Sequence, residues 1–164
     1  MQSYRKEDFV SEKRINKLSV GEHYIRPQAA WEQMKNAQNT GQTVYIYGAT
    51  GTGKTSFAVD FLARKPYCYL SVADTDVVKM AGIMSEKMEQ TQEKTNARKI
   101  FVLDDLYLVE TQEDRIVCER LIDELSGRKD VWLILISRAP VPKWLKSVYV
   151  RRIFVAIKSE AKRS

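Results

Sequence analysis

Residues 43–55 read Thr43-Val44-Tyr45-Ile46-Tyr47-Gly48-Ala49-Thr50-Gly51-Thr52-Gly53-Lys54-Thr55, and Ser56 follows. The first five are β-branched or aromatic without polar alternation, the pattern of a strand buried on both faces. The next eight satisfy Gly-x-x-x-x-Gly-Lys-Thr, the signature of a loop that cradles phosphate. Glycines at 48, 51 and 53 let the chain bend so that backbone N–H groups converge on phosphate oxygens. The amides of Ala49, Thr50, Thr52 and Ser56 join that cradle, and the helix that follows adds the positive end of its dipole. Lys54 can reach the β- and γ-phosphates as a point charge, and the Thr55 hydroxyl can complete the shell of a magnesium ion. ATP or ADP with Mg2+ is the expected cofactor set.

Downstream, strand and helix patterns alternate. The helix after the loop continues to Ala63 and is stopped by Pro66. Tyr67 to Val72 reads as a second strand, and Asp74 to Gln90 carries apolar residues at helical spacing, with Asp74 and Asp76 as capping candidates. Ile100 to Leu103 is a third strand, closed by Asp104-Asp105. Thr111 and Asp114 form an approximate capping box for a helix with Cys118, Leu121, Ile122 and Leu125 facing inward and Gly127 as its stop. Val131 to Ile136 is a fourth strand, followed by Ser137-Arg138 and a proline-rich break, and Val148 to Ile157 is a fifth. Strands separated by helices imply βαβ crossovers. The expected fold is α/β, a three-layer sandwich with a mainly parallel central sheet of the P-loop NTPase type.

In such a fold ligands sit at the carboxyl ends of the strands. Asp104, ending a buried strand about fifty residues after the loop, fits a carboxylate that holds magnesium together with Thr55. Asp105 is placed to orient or deprotonate an attacking water, but is one methylene shorter than glutamate, so slow or absent hydrolysis is expected. Arg138, at the end of the fourth strand, can contact a γ-phosphate. Asp105 and Arg138 are therefore the catalytic candidates.

The rest of the composition mostly excludes. A chain of 164 residues, 44% hydrophobic and 29% charged, suits one globular domain that needs neither metal nor disulfide to fold. Two cysteines without CxxC spacing argue against a zinc site. No apolar run is long enough to span a bilayer and no signal-peptide pattern is present, so no membrane contact and a cytoplasmic location are expected. The net charge of +6 arises from residues 143–164, so the body is neutral and only the end is basic. His23 reads as a surface residue, and the three tryptophans and the Met80, Met84, Met88 series read as packing. The expected organisation is an N-terminal arm (1–25), a nucleotide-binding domain (26–157) and a short basic tail (158–164) at a truncated end. Within the domain, Gln28 to Gln38 forms a first helix ending at Asn39-Thr40-Gly41.

Tyr24-Ile25-Arg26-Pro27, the phosphate loop, Tyr69-Leu70-Ser71-Val72-Ala73-Asp74, Phe101-Val102-Leu103-Asp104-Asp105 and Leu135-Ile136-Ser137-Arg138-Ala139-Pro140 together resemble the nucleotide-binding domain of the large LuxR-type, MalT-like regulators of the STAND class. The resemblance covers roughly residues 22–145. It implies a transcription-regulatory switch that holds ADP at rest and ATP with an inducer when active, with self-association following. It also implies that Arg26 lies near the adenine or ribose. Members of that family continue into a winged-helix region, a helical-repeat sensor and a C-terminal helix-turn-helix, and this chain stops before them. Its partners are then the C-terminal domains of a longer regulator, with DNA contacted only through the missing helix-turn-helix. Two rivals share the loop. One is a small-molecule kinase, whose only lid candidate is Glu86 to Lys99 with the single arginine Arg98. The other is a nucleic-acid-associated loader ATPase that uses the basic tail.

Overall fold

The computed structural model describes residues 26–49, 53–89, 97–145 and 155–158, the last as backbone only. The expected arm, the residues Thr50, Gly51 and Thr52 of the loop, the stretch 148–154 of the expected fifth strand, and tail residues 159–164 lie outside them. Helix α1 (Gln28–Thr40) leads into β1 (Val44–Tyr47), α2 (Lys54–Phe61) and β2 (Cys68–Ser71). Then come α3 (Val77–Glu89), β3 (Lys99–Asp104), a one-turn helix at Leu106–Leu108, and α4 (Gln112–Ser126). Strand β4 (Val131–Ser137), a second one-turn helix at Lys143–Leu145, and β5 (Val155–Lys158) complete the series.

The five strands form one sheet in the order β2-β3-β4-β1-β5, and every neighbouring pair is parallel. This order lay beyond reach of the sequence. β4 sits between the loop strand β1 and β3, so the segments after all three strands emerge side by side. All seven residues of β4 are buried, as a central strand covered on both faces requires.

Alternation divides the core in two. Tyr45, Phe101, Leu103, Leu133 and Leu135 face α3 and α4, meeting Met80, Met84, Cys118, Ile122 and Leu125. Val44, Ile46, Val102, Trp132, Ile134 and Ile136 face α1 and α2, meeting Met34, Phe57 and Phe61. The methionine series is thus a core stripe, and Trp132 is fully buried. Trp31 caps the second layer edge-on, 4.8 Å from Phe61, and Phe61 in turn lies 5.9 Å from Trp132.

The helix ends follow local chemistry. Gly41 closes α1 in the left-handed region at φ 81°, where Gly avoids the Cβ penalty. Here a Cβ would also stand 2.8 Å from the Arg98 guanidinium. The Asp114 amide donates to Thr111 Oγ1 at 3.1 Å, and acidic residues in the first turn of α4 complement its dipole. Of the two capping candidates before α3, Asp76 accepts from the Lys79 amide at 2.7 Å.

Trp132 fills the centre of the α1/α2 layer and donates its indole N–H to the Gln42 carbonyl at 2.9 Å. Trp132→Ala should destabilise the domain by about 3–5 kcal/mol, read as a lowered urea midpoint at unchanged slope.

Candidate nucleotide-phosphate site

A cleft of about 350 Å³ opens at the carboxyl edge of the sheet. One wall is the start of α2, with Gly53, Lys54, Thr55 and Ser56, and the other is formed by Asp104, Asp105, Tyr107, Ser137 and Arg138. Gly53 holds φ 88° as the residue preceding α2, a left-handed turn that favours glycine and aims the helix N-terminus at the cleft. Gly48 follows β1, and Ala49 is exposed. The Lys54 ammonium donates to the Ala49 carbonyl at 3.2 Å.

Burial dominates the electrostatics. It pushes the Lys54 ammonium below its ordinary value, with Arg138 adding in the same direction and Asp104 and Asp105 opposing. It pushes the Asp104 carboxyl up from 3.8 to about 6, with the charge of Asp105 adding and the Tyr69 hydroxyl, the Asp105 amide and Lys54 opposing. Tyr69 donates to Asp104 Oδ2 at 2.7 Å, and the Asp105 amide donates to Asp104 Oδ1 at 2.6 Å. Each oxygen keeps a second lone pair, so the carboxylate is oriented rather than blocked. Asp105 is the one non-glycine described residue with positive φ, at 62°. Its carboxylate accepts from the Ser71 hydroxyl.

The donor set fits magnesium. Among the described residues there is no cluster of three metal-ligating side chains, but Mg2+ bound with a nucleotide takes one or two protein oxygens and fills the rest of its shell with phosphate and water. Asp104 and Thr55 line the same cleft and could supply that pair.

The structure therefore brings Lys54, Thr55, Ser56, Asp104, Asp105 and Arg138 together. Arg26, expected near the adenine or ribose, does not line this cleft. It forms a two-pronged ion pair with Asp60 at 2.9 and 3.1 Å near the far end of α2, and lies 3.8 Å over the Trp31 ring. Three residues of the site escaped the sequence reading: Tyr69, Ser71 and Tyr107. The first two show only as a Tyr-x-Ser alternation, which gains meaning once β2 is known to pair with β3 in the register Ser71↔Asp104.

Because the folded-state value of Asp104 lies above its unfolded one, the protonated form is favoured by folding. This contribution is complete below about pH 3.8 and is lost as pH rises through about 6. Asp104→Asn removes the penalty. Without nucleotide or magnesium, the variant should gain on wild type by up to ~3 kcal/mol between pH 4 and pH 8, measured by urea unfolding. A difference that does not change with pH would contradict this account of the carboxyl.

Known proteins place this geometry in context. The ORC1 protein of Aeropyrum pernix in complex with DNA aligns at TM-score 0.60 and 16% identity, over 83% of this chain and 45% of that one. AMPPCP-bound DnaA from Aquifex aeolicus aligns at 0.57 and 22%, over 84% and 48%. Domain III of the Thermotoga maritima replication initiation protein DnaA aligns at 0.57 and 14%, over 86% and 66%. At these identities the likeness is one of fold, and the chain spans about half the length of the first two. No curated protein matches the sequence. The profile described as "ATPase family associated with various cellular activities (AAA)" matches residues 44–159, from the loop strand through β5. With well over half of its length matched, this chain belongs to the AAA family of ATPases.

Proposed function

We propose that the chain is an ATP/ADP-responsive switch domain of a DNA-associated AAA ATPase, with slow hydrolysis. The observation that carries this reading is the convergence of Lys54, Thr55, Asp104 and Arg138 on one cleft from the ends of three neighbouring strands. Lys54 and the amides at the start of α2 bind the phosphates. Thr55 and Asp104 would hold the magnesium, which supplies charge neutralisation between phosphate oxygens. Arg138 contacts the γ-phosphate and so distinguishes ATP from ADP.

Asp105 supports the slow rate. A general base must reach its water, and this carboxylate is short, accepts from Ser71 and sits on a left-handed backbone. A switch that turns over slowly keeps its ATP state long enough to be read by partners, including further copies of itself.

The association with DNA is supported by the similar folds of replication initiators, one of them solved on DNA. It corresponds to the loader ATPase, with the basic tail as its contact. The LuxR-type, STAND-class switch is the second reading, favoured by Ser137 and Arg138 standing at the cleft with Ala139 and Pro140 just beyond it. The kinase reading loses its lid arginine. Arg98 precedes β3, at the opposite edge of the sheet, and donates to the carbonyls of Gln38 and Lys129.

Lys54→Ala should weaken ADP and ATP binding by roughly 100-fold with the far-UV spectrum unchanged, measured by calorimetry; unaltered affinity would sink the site. Arg138→Ala should cost roughly tenfold in ATP affinity and leave ADP nearly untouched. Salt-dependent DNA binding that disappears on removing residues 158–164 selects the loader reading, and its absence selects the regulator.

A further inference from the structure

Arg138 and Tyr107 belong to separate strand-end segments and meet in the wall of the phosphate cleft. The guanidinium carbon of Arg138 lies 4.0 Å from the centroid of the Tyr107 ring. Arg26, Arg98 and Arg128 each donate to a carboxylate or carbonyl. Arg138 has no such acceptor among the described residues. Among the described residues, the contact recorded for its guanidinium is this ring. A ring against the face of a guanidinium leaves the in-plane N–H donors available to an oxyanion.

Both partners are anchored from the core. After the left-handed Asp105, the Leu108 amide donates to the Asp105 carbonyl at 3.0 Å and the Val109 amide to the Leu106 carbonyl at 3.1 Å. Leu106 and Val109 are buried on either side of this turn, so Tyr107 projects from a fixed base. On the neighbouring strand end, the Tyr45 hydroxyl donates to the Ala139 carbonyl at 2.9 Å, which holds the backbone beside Arg138.

An exposed arginine without contacts spreads over many rotamers, and gathering them when a ligand arrives opposes binding. A ring against the cation's face collects those rotamers beforehand. We propose that Tyr107 is a positioning residue for nucleotide discrimination, its ring holding Arg138 as a preformed receptor for the γ-phosphate. The inference rests on the assignment of Arg138 to that phosphate.

The test is calorimetric titration of the full chain with Mg·ATP and Mg·ADP for five forms: wild type, Tyr107→Leu, Tyr107→Phe, Arg138→Ala and the Tyr107→Leu/Arg138→Ala double variant. Tyr107→Leu should lower the ATP-to-ADP affinity ratio by roughly fivefold, and Tyr107→Phe, which retains the ring, should restore the ratio to within about twofold of wild type. The double variant should discriminate no worse than Arg138→Ala alone, because the tyrosine acts only through the arginine. If Tyr107→Leu does not fold, Tyr107→Met carries the same expectation. A wild-type ratio in the ringless variant, or a loss that adds to that of Arg138→Ala, overturns the role of Tyr107 while leaving Arg138 in place. A wild-type ratio in Arg138→Ala overturns the parent assignment and this inference with it.

Discussion

Every described strand runs in the same direction, and the neighbouring pairs among β1 to β4 are locked in register by a core on both faces. The site depends on that constraint. A slip of one residue in β3 would exchange its two faces, carrying Asp104 from the α2 layer to the α3/α4 layer and away from Lys54. The hydrophobic alternation of Ile100, Val102 and Phe101, Leu103 therefore does more than fill space. It fixes the side of the sheet on which the carboxylate appears. The order of strands does the rest, because β4 lies between β1 and β3 and delivers Arg138 between the phosphate loop and the acidic pair.

Burial works against both charges that face the cleft. Burial drives the Lys54 ammonium down and the Asp104 carboxyl up, so the two groups meant to meet a charged ligand are both destabilised in their charged forms. A phosphate would offset the first and a magnesium ion the second. Such a site favours a ligand that brings both signs at once, which is what a magnesium nucleotide does. Asp104 also stays oriented while it waits, since Tyr69 and the Asp105 amide each occupy one lone pair on a separate oxygen.

Much of this was legible in the sequence, for reasons that differ by residue. The phosphate loop is contiguous, and the chemistry of a glycine turn into a helix needs no knowledge of the remainder of the fold. Asp104 and Arg138 were legible because each ends an apolar strand, and parallel strands end at one edge. Strand order was not, because apolar runs of similar composition do not record their neighbours. Tyr69, Ser71 and Tyr107 were missed for the same reason. Their partners Asp104, Asp105 and Arg138 lie some thirty residues away in the chain and become neighbours only through pairing. The expected likeness to LuxR-type regulators is not confirmed by the comparisons, and the broader AAA family is what the match over residues 44–159 establishes.

The pairing of Arg26 with Asp60 has a consequence for motion. Helix α2 is only eight residues long. Its loop end presents Lys54 and Thr55, and its other end is braced by Arg26 and by the ring contact of Trp31 with Phe61. A rod seated against the sheet and clamped at its tail is a poor lever. If the proposed site takes up nucleotide, the braced α2 wall would be the one that stays put, and the opposite wall, where an arginine lies over a single ring, would be the one free to answer.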